Sequence, residues 1–163
     1  MAKVVAAVGQ GQVTPYAEQL RARLMLRRGM NFAGAAILLG RNPGCDEFVV
    51  LNLWMQSVEI MAKALLLLKD YAKYSPKLRN YGHDVARLYR VCLRAYSLNP
   101  PRKAMAEELS YLGKLYGWNH LRYASFVDIF IAPESIARDR VLRRAAAVMR
   151  LTNRELMKAP PLD

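Results

Sequence analysis

The sequence predicts an all-α fold, an up-down helical bundle of four to five main helices, and three observations lead to this prediction. Apolar residues recur at alternating spacings of three and four, which is the period of one helix face. Breaks rich in Pro and Gly separate these stretches at helical lengths. The dense apolar cluster at 124–132 stands alone, and a lone strand leaves its backbone unpaired, so we expect a buried turn or a short helix there.

Length and composition indicate one domain that needs no metal or disulfide. The chain has 163 residues, 53% hydrophobic and 23% charged, which suits a single domain with its own core. We expect the helical domain to span 14–158, with a mobile tail at 1–13 and a C-terminal tail at 159–163. Cys45 and Cys92 lack metal-ligand spacing, and no apolar run approaches the ~20 residues of a membrane span. A cytoplasmic protein without metal, cofactor or membrane span is therefore predicted.

The first helix is expected to begin at Thr14-Pro15 and to end at Gly40. Thr can cap a helix, and Pro at the first helical position loses no needed hydrogen bond. The residues that fall on one side of the helical wheel, and are predicted to face the core, are Ala17, Leu20, Leu24, Ala35 and Leu38.

The second helix carries the strongest helical pattern in the chain. Asp46 can cap its start, and we expect it to run to about Tyr71. Glu59 and Lys63 lie four residues apart on the other side, in the favourable orientation for an ion pair, or they line an inter-helix groove and orient His83. The predicted core stripe is Phe48, Leu51, Met55, Val58, Ala62 and Leu65.

Proline-containing breaks delimit the remaining helices. Ser75-Pro76 predicts a loop over 73–82, because the residue before Pro avoids helical angles. A third helix is expected over 83–97, with His83 or Asp84 as its cap. The proline pair at 100–101 ends this third helix. A fourth helix is expected over 101–116, and the last over 133–158.

The charge is strongly positive. The formal net charge is +12, which suggests an anionic partner: nucleic acid first, an anionic membrane second, an acidic protein third. Basic charge is also compatible with solubility alone. On the last helix one arc of the wheel is apolar and the opposite arc is predicted to be a basic ridge in solvent. The residues of this basic ridge are Arg140, Arg143, Arg144, Arg150, Arg154 and Lys158.

A concentration of aromatic residues follows in the fourth helix and after it. Tyr116 and Trp118 belong to it, together with the basic Lys114. Aromatic side chains stack on bases while basic groups hold phosphates, although aromatics at helical spacing more often belong to a core.

Two stretches resemble the HEPN family (higher eukaryotes and prokaryotes nucleotide-binding). Residues 56–66, QSVEIMAKALL, are similar to the family's second-helix pattern, an acidic residue followed four later by Lys and then by small and Leu residues. Residues 82–85, GHDV, are similar to its Gly-His-Asp-Leu start of the third helix, which follows a proline-containing loop. Residues 118–123 match a later Arg-Tyr segment loosely. The resemblance implies a helical bundle, often a homodimer, that cleaves RNA or senses nucleotides and RNA.

Catalytic members of this family carry Arg, then four to six residues, then His. Neither histidine of this chain satisfies that spacing, because 76–78 hold Pro, Lys and Leu, and 113–115 hold Gly, Lys and Leu. Arg79 comes closest to His83 but is one residue short. The pair His83 and Arg79 is nevertheless the candidate catalytic site, since His can shuttle a proton and Arg can hold a developing phosphorane.

Three functions remain open on the sequence. The leading hypothesis is a non-catalytic or weakly catalytic HEPN-like domain that binds RNA or nucleotide phosphate, in a stress, defence or toxin–antitoxin setting. Its phosphate contacts would come from Arg79, His83, Lys77, Asn80 and the basic ridge, with Glu59, Lys63 and Asp84 in support. The alternatives are a metal-independent endoribonuclease toxin and an interaction module for an acidic protein partner.

Overall fold

Helices account for the regular structure of the chain in the computed structural model, which describes residues 14–121 and 138–158, with side chains from 143 onward in the second range. The long helices are α1 (Pro15–Leu39), α2 (Glu47–Lys69), α5 (Val85–Ala95), α6 (Lys103–Gly117) and α7 (Arg138–Lys158). Two one-turn helices, α3 (Tyr71–Tyr74) and α4 (Leu78–Tyr81), flank a 3₁₀ turn (Ser75–Lys77). No strand occurs in these ranges, and the predicted all-α bundle is confirmed. The tails, the cluster at 124–132 and the expected helix start at 133 lie outside the described residues.

The core is built around α2, which packs most extensively on α1 and then on α7 and α5. Leu51, Met55, Val58, Ala62 and Leu65 of the predicted stripe are all buried, as expected. The burial extends further round the helix because neighbours cover α2 on several sides, so that five more large side chains are enclosed. These are Val50, Trp54, Met61, Leu66 and Leu67.

Among the described helices, α2 alone has the length and hydropathy of a membrane span. Its most apolar window is 67% buried inside the bundle, as expected for a core helix. The packing of α2 against its neighbours therefore explains why this helix is so apolar.

The predicted core face of α1 is wrong. Leu24 and Leu38 are 52% and 66% exposed, and the helix turns its opposite side toward α2. That side is made mostly of small residues, which allow the two helix backbones to approach closely. A Cβ placed on Gly29 would lie 2.6 Å from Met61 Cγ, so α1 and α2 are in close contact there. The buried residues of α1 are Ala22, Leu26, Gly29, Ala33 and Ala36.

Three helices begin at the caps that the sequence predicts. Thr14 Oγ1 accepts a hydrogen bond from Ala17 N at 3.2 Å, and Asp46 Oδ1 accepts one from Phe48 N at 2.8 Å. Asp84 Oδ1 accepts one from the backbone N–H of Arg87 at 2.9 Å. Each acceptor satisfies a donor that the first helical turn leaves without a partner.

The loop predicted over 73–82 is also wrong, because most of this segment is helical. Asp70 caps the first short helix through Lys73 N at 2.9 Å. Pro76 is accepted because it lies in the opening of the 3₁₀ turn, where its missing N–H costs nothing. Tyr74 and Tyr81 are buried and anchor these turns to the core.

Helices α5 and α6 end in the same left-handed cap. Ser97, after α5, has a φ of 51°, Ser97 N donates to Arg94 O at 3.2 Å, and Leu98 N donates to Leu93 O at 2.8 Å. This pair of bonds is the Schellman motif, which turns the chain sharply while satisfying the last carbonyls. Asn119 takes the same position after α6, with a φ of 61°. Leu98 is thereby turned back toward Leu93.

Replacing Gly29 tests the close contact between α1 and α2. We expect Gly29→Ala to lower the free energy of unfolding by about 1 kcal/mol, since crowding of the Ser57 and Met61 backbone outweighs the better helix propensity of Ala. Gly34→Ala is the matched control: a Cβ there meets nothing within 4 Å, so it should raise stability by about 0.5–1 kcal/mol. Urea denaturation measures both, and equal effects would contradict the close approach.

Candidate functional site

A buried carboxylate organises the polar centre of the molecule. Glu59 on α2 is only 5% exposed. Its Oε1 accepts a hydrogen bond from Lys63 Nζ, one helical turn further along. Its Oε2 accepts one from Tyr116 Oη on α6 at 2.6 Å and lies 3.0 Å from His83 Nδ1. Groups from three separate parts of the chain therefore converge on one side chain.

The backbone before α5 places His83 next to Glu59. Gly82 has a φ of 52°, a conformation that favours glycine, and its carbonyl accepts a hydrogen bond from Lys63 Nζ at 2.9 Å. Asp84 then caps α5, so His83 is held between a glycine turn and a helix start. Its ring packs edge-on against Tyr116, with centroids 5.6 Å apart and an interplanar angle of 89°.

The orientation of the imidazole follows from these contacts. Nδ1 is engaged by Glu59, which leaves Nε2 as the ring nitrogen for a ligand. Half of the His83 side chain (50%) is exposed, whereas Glu59 beneath it is nearly enclosed. A carboxylate that holds one nitrogen of an exposed imidazole is the arrangement that proton-transfer sites use.

Glu59 is ionised despite its burial. Burial by itself raises the pKa of the carboxyl, but hydrogen bonds from His83, Lys63 and Tyr116, together with the charge of Lys63, outweigh it. The net effect is a pKa below the ordinary value of 4.5. The ionised Glu59 therefore contributes its full stabilisation above the ordinary pKa of 4.5. This contribution is lost as the pH falls through the lower pKa of the folded state.

His83 faces a groove of about 430 Å³ between the head of α5 and α6. Arg90, two turns along α5, and Lys114 on α6 also line this groove, and both side chains are exposed. Trp118, 67% exposed, lies in its lining and packs edge-on against His120. We call this space, defined by His83, Arg90, Lys114 and Trp118, the His83 groove.

The residues predicted before α5 separate into two groups. Glu59, Lys63 and His83 come together, and Asp84 serves as the cap. Arg79, Lys77 and Asn80 are exposed on the short helical turns, and none of them is among the described residues that line the His83 groove. The expectation that Glu59 lies on a side facing away from the core is wrong, since this residue is buried.

Arg90 and Lys114 are the cationic residues that sequence reasoning did not assign to the site. Arg90 lies seven residues after His83, a spacing that returns to the same helix face, and this signal was present in the sequence. Lys114 depends on how α6 crosses α5, which no local pattern determines. Trp118 and Lys114 reach the site, whereas Tyr116 from the same aromatic concentration is buried.

The basic ridge of α7 is present in part. Arg143, Arg150 and Arg154 are exposed, while the Arg140 side chain lies outside the described residues. Arg144 was predicted to belong to the ridge, and this is wrong, because it is only 6% exposed. Its guanidinium donates to Met105 O at 3.0 Å and lies 3.5 Å from Glu108 Oε2. Arg144 therefore joins α7 to α6, since a carboxylate and a carbonyl there compensate its burial.

Comparison with known proteins leaves the chain without an assigned family. No family model matches it, and comparison with curated proteins and with solved structures found no match. The resemblance to HEPN proteins, the homodimer and the cytoplasmic location therefore stay predictions. No group of three His, Cys, Asp or Glu side chains in the described ranges is placed to hold a metal ion.

Removing the charge of Glu59 tests its organising role. We expect Glu59→Gln to lower the free energy of unfolding by about 2 kcal/mol at neutral pH, because Lys63 would lose its buried partner. The difference between wild type and variant should narrow as the pH falls below 4.5, where the wild-type carboxylate becomes protonated.

Chemical denaturation across a pH series measures this effect. Glu107→Gln is the matched control, because the Glu107 side chain is 66% exposed and its ion pair with Lys103, at 3.9 Å, is a long surface contact that contributes little to stability. A Glu59→Gln variant as stable as the Glu107→Gln variant at neutral pH would show that the buried carboxylate does not organise the fold.

Proposed function

We propose that this protein binds RNA or nucleotide phosphate in the His83 groove. The observation that supports the proposal is the oriented, half-exposed His83, which shares the groove with Arg90 and Lys114. A phosphate group offers oxygens to all three side chains, and charge-assisted hydrogen bonds to such oxygens are the strong ones.

The charge balance of the groove favours an anion. Glu59, the buried carboxylate behind His83, is neutralised by Lys63. Asp84 is the acidic residue among the described lining, and its Oδ1 is occupied by the backbone N–H of Arg87. Arg90 and Lys114 are exposed and extend their charges toward solvent. The groove therefore presents more positive than negative charge to a ligand.

Size and rim chemistry favour a nucleotide over a bare anion. A volume of about 430 Å³ falls within the range of small-molecule sites. The exposed Trp118 gives a base a surface for stacking, which contributes on the order of 1–3 kcal/mol per base. The net charge of +12 supports RNA in particular, because a polyanion engages cations beyond the groove, such as Arg143 and Arg150.

Charge reversal in the groove tests the proposal. We expect Arg90→Glu with Lys114→Glu to weaken binding of a labelled single-stranded oligoribonucleotide at least about tenfold. The slope of affinity against salt should also fall, since two phosphate contacts are lost. Fluorescence anisotropy over a series of salt concentrations gives both quantities.

The control for this experiment is Arg27→Glu with Arg28→Glu, which makes the same change in net charge on the exposed surface of α1. Equal loss of affinity in the two double variants would mean that only the overall charge matters. Absence of binding by the wild type at low salt would overturn the proposal.

A second candidate function is metal-independent RNA cleavage, which the carboxylate–imidazole contact favours. His83 would take the proton of a ribose 2′-hydroxyl, whose oxygen forms a bond to phosphorus while the bond to the 5′ oxygen breaks and that oxygen takes a proton from water. The products would be a 2′,3′-cyclic phosphate and a 5′-hydroxyl. Arg90 and Lys114, rather than the predicted Arg79, would stabilise the charge that develops on phosphorus.

Cleavage of labelled RNA in the presence of a chelator tests this second candidate. We expect the wild type to produce cyclic-phosphate ends and His83→Ala to lose at least about a hundredfold in rate while keeping its helical content. The Arg27→Glu variant should retain the activity. Intact RNA after incubation with the wild type would exclude cleavage and leave binding as the function.

A further inference from the structure

Two mostly apolar grooves lie on either side of the C-terminal half of α5. One, of about 540 Å³, lies between α5 and α6, and the other, of about 430 Å³, lies between α5 and α7. Tyr89, Leu93 and Leu98 line both grooves and form a ridge between them. The two grooves therefore constitute one grooved surface, which we call the α5 surface.

The sequence builds this surface from the way in which α5 ends. Leu88 and Cys92 turn inward and are buried, while Leu93 lies one step further round the helix and is only partly buried. The Schellman motif at Ser97 then places Leu98 over the end of the helix, where it is 39% exposed. Pro100 and Pro101 close the first groove without offering backbone donors.

Arginines surround the apolar floor of the α5 surface. Arg90 and Arg94 of α5 line the first groove, and Arg150 and Arg154 of α7 line the second. No acidic residue in the described parts of the chain lines either groove. Glu155 lies 3.4 Å from Arg154 and offsets part of its charge, so the other three arginines contribute most of the positive rim.

We propose that the α5 surface is the docking site for an acidic amphipathic helix of a partner protein. Apolar side chains spaced three and four residues apart on such a helix would enter the grooves on both sides of Leu93 and Leu98. Its flanking carboxylates would meet Arg94 on one side and Arg150 on the other. Charge complementarity of this kind sets the choice and the orientation of a partner.

The composition of the grooves favours a helix over RNA or an acyl chain. Tyr89 is the aromatic residue among their described linings, which are otherwise mainly aliphatic side chains and proline, so they offer few surfaces for stacking bases. The first groove runs along most of α5, from Ala86 to Leu98, and the second lies beside it. An elongated helix covers an open groove along its whole length.

A pair of synthetic helices tests the proposal on the full-length protein. The probe is a fluorescent peptide of about 18 residues, ~27 Å long when helical, with Leu on one face and Glu on both flanks. The matched peptide carries Lys in place of every Glu. We expect the Glu peptide to bind, measured by anisotropy, and the Lys peptide to bind at least about tenfold more weakly.

Two variants locate the binding on the α5 surface. Leu98→Asp adds a charge at the ridge, and Arg94→Glu with Arg150→Glu reverses the rim; each should weaken binding of the Glu peptide at least about tenfold. Arg27→Glu with Arg28→Glu is the control with the same charge change and should leave affinity within about twofold. Arg90 is left unchanged in both variants, because it also lines the His83 groove. Loss of peptide binding and loss of phosphate binding are therefore separate results.

Three outcomes would overturn the proposal. The first is equal binding of the Glu and Lys peptides, and the second is no loss of affinity in either the Leu98→Asp or the Arg94/Arg150 variant. The third is an oligoribonucleotide whose binding is weakened by Leu98→Asp, which would assign the α5 surface to RNA. Because Leu98 is partly exposed, its variant should fold, and the arginine variant provides an independent measurement.

Discussion

The burial of the Glu59 carboxylate is the constraint on which the rest of the site depends. A charge removed from water is tolerated only where other groups replace the lost solvation. Lys63, His83 and Tyr116 do so, and they come from α2, from the turn before α5 and from α6. The carboxylate therefore fixes how three segments meet. Removing one partner of such a pair leaves the other charge buried without compensation, so the contacts around Glu59 depend on one another.

The exposed imidazole is a consequence of this buried network. Gly82 gives its carbonyl to Lys63, and Asp84 caps α5, so the residue between them has little freedom in where it points. His83 is held from beneath by Glu59 and from the side by Tyr116. Preorganisation of this kind lowers the entropic cost of binding a ligand. The His83 groove is thus backed by the hydrogen bonds that converge on Glu59.

The arginines of this protein have different structural environments. Arg144 is buried and links α7 to α6 through Met105 and Glu108, so its charge is structural. Arg90 lines the His83 groove, and together with Arg94 it also lines the apolar groove between α5 and α6. Helix α5 therefore carries two adjoining surfaces, a polar one at its head and an apolar one toward its end. The net charge of +12 does not distinguish these roles, which depend on what lies beside each arginine.

Local signals in the sequence determined where most helices begin and end, together with the core of α2. Thr14, Asp46 and Asp84 cap the helices that they precede, because capping involves groups only two or three residues apart. Local signals wrongly predicted a loop at 73–82, because the burial of Tyr74 and Tyr81 outweighs the local effect of Pro76.

Only the tertiary structure decided which face of α1 is inside, that Glu59 is buried, and that Lys114 lies in the groove with His83. On α1 close packing of small residues around Gly29 outweighed the burial of Leu24 and Leu38. These outcomes depend on residues far apart in the chain, and helix periodicity carries no information about which neighbour a face will meet.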